Sequence, residues 1–347
     1  MNRPLIGPVA TAIRTPGQAR SDRYILSVRF SRLGDELSEK QSVRLTVDGI
    51  TIAATLHLPD TPSGARGPAI VVAGPSPQVK EQVPDTYAAR FADAGYPTLT
   101  VDFRNFGESG GRARLREDPA GKLADLRAAT TYLADRPEVD PDRVAIVGIC
   151  AGAGYALKAA AFDPRLAAYV GIAGFYPDPR GLRAALGPDV YRAALRRAIE
   201  VLAVEDRGGE IAYLPHVAPT GGDALIAGGE PYEYYGSGRG AAPNYRNEIT
   251  ADTGYTMLTL DTATVADLVT VPSLIVHGET DHACPLEQAI AVHDNLAGRK
   301  ELVRLPTDTH IGFYDDETYL TPAIAATVEF LDRILGDRPQ PYQPVAP

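Results

Sequence analysis

The chain carries a cysteine, an aspartate and a histidine in an order suited to nucleophilic attack on a carbonyl. Cys150 is the centre of Gly148-Ile149-Cys150-Ala151-Gly152, which directly follows the apolar run Val144–Ile149 and directly precedes a helical pattern, Ala151–Phe162. A strand–turn–helix of this kind is a nucleophile elbow: it lifts its central residue above a sheet in a strained conformation. The flanking glycines fit because side chains there would strike the neighbouring strand and helix. A thiol at a helix N-terminus sits in a field that favours thiolate, the form that attacks. The alternative for Cys150 is a small buried hydrophobe on a tight turn.

Such a nucleophile needs a base and an acid, in the chain order nucleophile, acid, histidine. Of six histidines, His57 falls in an early hairpin, His216 in a long irregular stretch, His277 inside an apolar strand and His293 mid-helix. His282 follows Asp281 on a loop, as a bystander or a substrate contact. His310 follows the last expected strand and precedes the last helix, the place expected for the base. Asp281 follows the strand Ser273–His277 and its Gly278 turn and is the first choice for the acid. Glu279 is the fallback, and Asp308 is too close in sequence to His310. A helix cap or a solvated loop charge is the alternative for Asp281. A tetrahedral oxyanion needs two backbone N–H donors. Ala151 supplies one. The second is expected from Gly74-Pro75-Ser76-Pro77-Gln78, whose prolines have no N–H. Gly74, Ser76 and Gln78 remain, with the Ser76 hydroxyl as a substitute.

The elements that must position these residues alternate between strand and helix. Ser42–Val47 and Thr51–Leu58 predict a hairpin turning at Asp48-Gly49. Pro68–Ala73, Thr98–Phe103, Val144–Ile149, Ala167–Ile172, Ser273–His277 and Glu301–Leu305 are further strands, several of them the continuous apolar runs of a buried parallel sheet. Helices are expected over Thr86–Ala94, Ala120–Asp135, Ala151–Phe162, Pro285–Leu296 and Thr321–Leu335. This predicts an α/β fold, a mostly parallel sheet covered by helices on both faces. The alternation breaks between about Phe175 and Thr270, where a helical pattern (Val190–Val204) precedes a glycine- and tyrosine-rich region. That stretch, 175–270, reads as a lid over the sheet's C-terminal edge or as a surface excursion without substrate contact. The core is then 41–174 and 271–336, with a polar arm over 1–40, loose or docking, and a proline-rich tail over 337–347.

Composition narrows the class. The 347 residues are 44% hydrophobic and 22% charged, ordinary globular values, with a net charge of −10. The acidic balance argues against a nucleic-acid or basic membrane-surface protein. Two cysteines, Cys150 and Cys284, build no disulfide framework. Their sparseness, the lack of an apolar run near membrane length and the lack of a secretory h-region lead to the expectation of a cytoplasmic protein. Gly107-Glu108-Ser109-Gly110-Gly111 lacks the frame of a phosphate loop. No Cys/His cluster has zinc spacing along the chain, so neither cofactor nor metal is expected. The role of Cys284, three residues past Asp281, stays open.

With these residues in place the chain resembles the α/β-hydrolase superfamily, and within it the dienelactone-hydrolase-like enzymes with a cysteine elbow. The resemblance covers roughly residues 42–335. It rests on Val79-Lys80-Glu81-Gln82, Gly107–Gly111, Pro137–Val144, Gly148–Ala156, Tyr234-Tyr235 with Arg239-Gly240 and Pro243, Met257-Leu258-Thr259, and Thr309-His310 with Tyr314-Asp315. It implies a Cys150–Asp281–His310 triad, with Tyr234, Tyr235 and Arg239 beside His282 as substrate contacts. One departure stands out: Gly74-Pro75-Ser76-Pro77 replaces the family's usual His-Pro-x-Gly. Three readings follow. The first is cofactor-free cleavage of a small-molecule ester or thioester through Cys150. The second is a lyase that expels acetate or another acyloxy group from an acylated natural-product intermediate such as a tetronate. The third is a non-catalytic binding protein. A homodimer is compatible with all three.

Overall fold

Asp48 and Gly49 close the first hairpin as expected. Both take positive φ (52° and 77°), the mirror-image turn that matches the twist of paired strands, and Val47 lies opposite Ile50. The structure, a computed structural model, describes residues 39–60 and 66–336. The expected arm over 1–38 and the tail over 337–347 lie outside the described residues. Glu39 and Lys40, assigned to the arm by sequence, belong instead to the first strand, β1 (Glu39–Val47), which pairs with β2 (Ile50–Leu58) along its whole length.

Six more strands complete an eight-stranded sheet: β3 (Gly67–Ala73), β4 (Thr98–Val101), β5 (Val139–Ile149), β6 (Leu166–Ile172), β7 (Ser273–Gly278) and β8 (Lys300–Leu305). Their order is β1-β2-β4-β3-β5-β6-β7-β8. The β1–β2 and β2–β4 pairs are antiparallel, and the others are parallel. β3, β4 and β7 are buried at every position; Ala69–Ala73 and Leu274–Val276 accordingly run apolar without alternation, while β4 buries Thr98 and Thr100 between its apolar residues. β4 stops at Val101, two residues before its expected end, where the fully buried Asp102 carboxylate accepts the Lys80 and Glu108 N–H groups at 2.7 and 2.9 Å.

Helices cover both faces. Pro119–Ala134 and Ala151–Phe162 bury Leu126, Leu133, Ala153 and Leu157 on one side. Val83–Asp93 and Glu317–Leu335 bury Tyr87, Phe91, Leu320 and Phe330 on the other. The former of this second pair starts three residues earlier than Thr86, because Pro84 is well suited to a first turn that needs no N–H. Between β6 and β7 the chain leaves the sheet. That excursion holds helices Pro179–Leu186, Pro188–Asp206, Gly229–Tyr235 and Thr253–Thr259. Among the described residues no helix is long and apolar enough to cross a membrane.

The turn after β5 has no room for side chains beside Cys150. A Cβ on Gly152 would lie 2.0 Å from the Ala73 carbonyl oxygen, and one on Gly148 would lie 2.4 Å from Ala153 Cα. Gly152→Ala is therefore expected to lower the urea midpoint by an amount equivalent to roughly 1–3 kcal/mol at unchanged slope. A midpoint equal to that of the wild type contradicts this packing.

Candidate active site

Cys150 follows β5 with φ 53° and ψ −122° and stands at the N-cap position of the helix Ala151–Phe162. Its backbone is held from both sides. Cys150 N–H donates to the Ile172 carbonyl at 3.0 Å, and its own carbonyl accepts from Ala153 and Phe175 N–H at 3.0 and 2.9 Å. A non-glycine residue in this region costs on the order of 1–3 kcal/mol, so surrounding bonds of this kind are what maintain it.

The fold brings His310 and Asp281 together. His310 Nδ1 lies 2.7 Å from Asp281 Oδ2, and both residues are buried. The second carboxylate oxygen of Asp281 accepts from Ala283 and Cys284 N–H at 2.9 and 2.7 Å, which fixes its orientation. Cys150 Sγ, Cys284 Sγ and a ring nitrogen of His310 all lie within 4.8 Å of one another. The Tyr314 phenol oxygen is 3.1 Å from His310 Nε2. Glu279 and Asp308 are exposed, so Asp281 alone of the three acids meets the histidine.

These neighbours set the charge state. The Cys284 thiol donates to Cys150 and outweighs the cost of burial, helped by the charge of His310 and by the Tyr314 phenol, so the Cys150 thiol is held well below the usual thiol range. The same contact, with burial, pushes the Cys284 thiol up. Burial opposes a charge on His310, but Cys150 and Asp281 outweigh it and raise its pKa to about 10. Both shifts point the same way, toward a thiol that gives up its proton readily beside an imidazole that holds one, and the helix N-terminus adds to the same bias.

Around this pair the expected oxyanion residues have different surroundings. Ala151 is the first residue of its helix, where an N–H has no intrahelical acceptor. Gly74 is wedged against Pro84: a Cβ there would lie 2.3 Å from Pro84 Cγ. The Ser76 hydroxyl is already engaged. It donates to Glu117 and accepts from Lys122 Nζ at 2.8 Å, within a buried ion pair that Tyr155 also joins at 2.6 Å. It is therefore no spare donor. The buried Gln78 side chain, which sequence reading passed over in favour of its backbone, donates from Nε2 to Tyr235 Oη at 2.6 Å, and its Oε1 has no partner among the described residues.

Tyr234 and Tyr235 are buried against Tyr314, with ring centroids 5.3 and 6.3 Å apart. His216 packs edge-on to Tyr235 at 4.6 Å, and burial lowers its pKa to about 3, so it stays neutral there. The other two residues expected as substrate contacts lie away from the thiol's own hydrogen-bond partners. Arg239 donates to both Asp315 oxygens from Nε and Nη2, one edge of its guanidinium, and lies over the Tyr234 ring, clamping the excursion to the histidine loop. His282 is exposed and has no hydrogen bond to Cys150, Asp281 or His310 among the described residues. The excursion also holds the histidine loop through Glu230, whose carboxylate accepts from His310 and Ile311 N–H at 3.0 and 2.9 Å and from the Thr309 hydroxyl at 2.6 Å. Eighty residues separate Glu230 from His310, so no local pattern signals it. Tyr314 carries a weak signal, its place four residues after His310 in the segment that bears the resemblance.

The sequence model of the family Hydrolase_4 (serine aminopeptidase, S33) matches residues 81–317, and the chain belongs to this family of α/β hydrolases. It is similar to the uncharacterized protein PA2218 of Pseudomonas aeruginosa, 33% identical over 276 residues that cover 77% of this chain and 73% of that one. The crystal structure of PA2218 superposes with a TM-score of 0.76 at 28% identity, over 89% of this chain and 100% of that chain. The chain is also similar to the acyltransferase drtE of Aspergillus calidoustus, 28% identical over 89% of this chain and 98% of the relative. A third relative is the thiohydrolase aneE of Aspergillus aculeatus, 28% identical over 85% and 93% of the two chains.

The pair of shifts fixes a pH window. The thiolate exists above the depressed Cys150 pKa, and the imidazolium persists until about pH 10. Alkylation of Cys150 by limiting iodoacetamide is expected to stay fast well below the pH of about 8.5 at which an ordinary thiol is half ionised, with Cys284 unlabelled. Cys284→Ala, which removes the largest contribution, and His310→Ala should each move the fall-off in rate to higher pH. Preferential labelling of Cys284, or a wild-type rate that falls away below pH 8.5, contradicts the ion pair.

Proposed function

We propose that this α/β hydrolase is a cysteine acyl-transfer enzyme acting on a thioester or ester of a small molecule, of the dienelactone-hydrolase-like kind that the cysteine elbow resembles. The observation that carries the reading is the convergence of the Cys150 thiol, on the strained turn after β5, with a His310 ring already oriented by Asp281 at 2.7 Å. The thiohydrolase and acyltransferase relatives support the chemistry for this chain.

In this mechanism the Cys150 thiolate adds to the acyl carbonyl. His310, protonated and held by Asp281, gives its Nε2 proton to the departing thiol or alcohol as the tetrahedral intermediate collapses to the acyl-enzyme. Neutral His310 then takes a proton from the water or hydroxyl that attacks the acyl-cysteine, and collapse of the second intermediate regenerates the thiolate–imidazolium pair. The Ala151 N–H faces the developing oxyanion as one donor. A second donor comes from the phenols of Tyr235 and Tyr314 beside the thiol, since the hydroxyl of Ser76 is committed to Glu117 and Lys122. The excursion acts as a lid whose tyrosines form an apolar, hydroxyl-edged wall for the acyl chain.

Cys150→Ala and His310→Ala are each expected to lower turnover of an acylated substrate by several powers of ten, because triad members act as a unit. Water enriched in heavy oxygen should label the released acid when water is the acceptor. An alkene product with unlabelled acid, and a Cys150→Ala variant that stays largely active, would replace this reading with elimination by His310. Retained binding without turnover of any acyl donor would replace it with a binding protein.

A second expectation concerns metals. The triad chemistry needs none, so dialysis against a strong chelator should leave turnover undiminished. Loss of activity that one divalent ion restores contradicts it.

A further inference from the structure

We propose that Cys150, Cys284 and His310 form a chelating site for a soft divalent cation, zinc above all, and that its occupation reversibly shuts off the reactive centre. Spacing along the chain could not reveal this set, since the three ligands lie on the turns that follow three different strands. The fold gathers them so that two sulfurs and one ring nitrogen lie within 4.8 Å of one another.

Zinc takes thiolate sulfur at about 2.3 Å and imidazole nitrogen at about 2.0–2.1 Å in a tetrahedron, which places its ligand atoms roughly 3.5–4 Å apart. The observed triangle needs only small side-chain rotations to close on an ion. Two sulfurs and an imidazole are also a donor set that selects zinc over the hard cations. The second shell is present as well. Asp281 engages His310 Nδ1 at 2.7 Å, which leaves Nε2 as the metal-facing nitrogen. A carboxylate on the far nitrogen is the usual device that orients a zinc-bound histidine. The same carboxylate accepts the Cys284 N–H at 2.7 Å and so ties a second ligand to the same anchor. The Tyr314 phenol, now 3.1 Å from Nε2, would turn aside, and a water would complete the tetrahedron. Cys150 is partly exposed while Cys284 is buried, so the ion enters past Cys150.

Binding would replace the ligand protons, released to solvent, with the metal and would remove nucleophile and base together. Cys284 is what distinguishes this from the weak metal affinity of any Cys–His dyad. The inhibitory half of the proposal rests on the acyl-transfer reading; the binding half does not.

The test uses the full chain, washed free of metal and titrated with zinc chloride against a chromophoric chelator. Zinc is expected to bind at one equivalent. X-ray absorption at the zinc edge should show two sulfurs at about 2.3 Å and nitrogen at about 2.0–2.1 Å. Loss of an outer-shell partner alone costs 10–100-fold in affinity, so Cys284→Ser, which removes a ligand, should cost at least about 100-fold and leave one sulfur. Cys284→Ala serves as a second variant, and the absorption measurement on the wild type needs no variant to fold. One equivalent of zinc should abolish acyl turnover, and chelator should restore it. A one-sulfur shell in the wild type, or a Cys284→Ser protein that binds zinc as tightly as the wild type, overturns the site. Two bound sulfurs with acyl turnover unimpaired overturns the switch. Absence of acyl turnover in metal-free protein counts against the acyl-transfer reading, while the absorption spectrum still decides the site.

Discussion

The left-handed backbone at Cys150 is the constraint on which the rest of the site depends. A residue with a Cβ holds φ of 53° only when its neighbours leave it no alternative. Here the neighbours are β6, through the Ile172 carbonyl, and the start of the excursion, through Phe175 N–H. Gly148 and Gly152 allow the strand before and the helix after to close on the turn without collision. Once the turn is fixed, the thiol has one direction in which to find partners: the loops that follow β7 and β8, which supply Asp281, Cys284 and His310. The parallel order of β5, β6, β7 and β8 puts all of these loops at one edge of the sheet.

A buried thiolate would be prohibitively costly alone, and an unpaired buried imidazolium equally so. Their coexistence depends on the groups packed around them. Asp281 balances the imidazolium, and its free oxygen is held by two backbone N–H groups. Cys284 and Tyr314 present hydrogen-bond donors to the thiolate and so take the place of water. A second buried charge pair, Glu117 with Lys122, lies behind the proline loop and fastens Ser76. The loop expected to supply an oxyanion donor is in this chain tied down from behind, through Ser76.

Much of this was legible from local pattern. Apolar runs of five or six residues marked the buried strands, and Asp48-Gly49 marked the hairpin, because burial on both faces and mirror-image turns restrict composition strongly. The elbow was legible for the same reason: strand, two spaced glycines and helix are needed together. Asp281 and His310 could be chosen by their places after particular strands. The contacts made across long loops were not legible. Glu230 reaches His310, Gln78 reaches Tyr235 and Gln82 reaches the Gly240 carbonyl, over separations of 80, 157 and 158 residues. Arg239 read as a substrate contact through the resembling segment that holds it; only the fold shows Asp315 opposite it. Lys80 and Glu108 tie two of the resembling segments together through the buried Asp102, with Lys80 Nζ 3.1 Å from Asp102 and 2.7 Å from the exposed Glu108 carboxylate.

The central claim is that the acyl group passes through Cys150. Rapid acid quench of the protein during turnover of a small acyl thioester, followed by peptide mapping, tests it most directly. The account predicts a transient mass increase equal to the acyl group, confined to the peptide that contains Cys150 and absent when His282 or Cys284 peptides are read. Turnover that proceeds with Cys150 unmodified throughout, or an acyl group that accumulates on Cys284 instead, would contradict it.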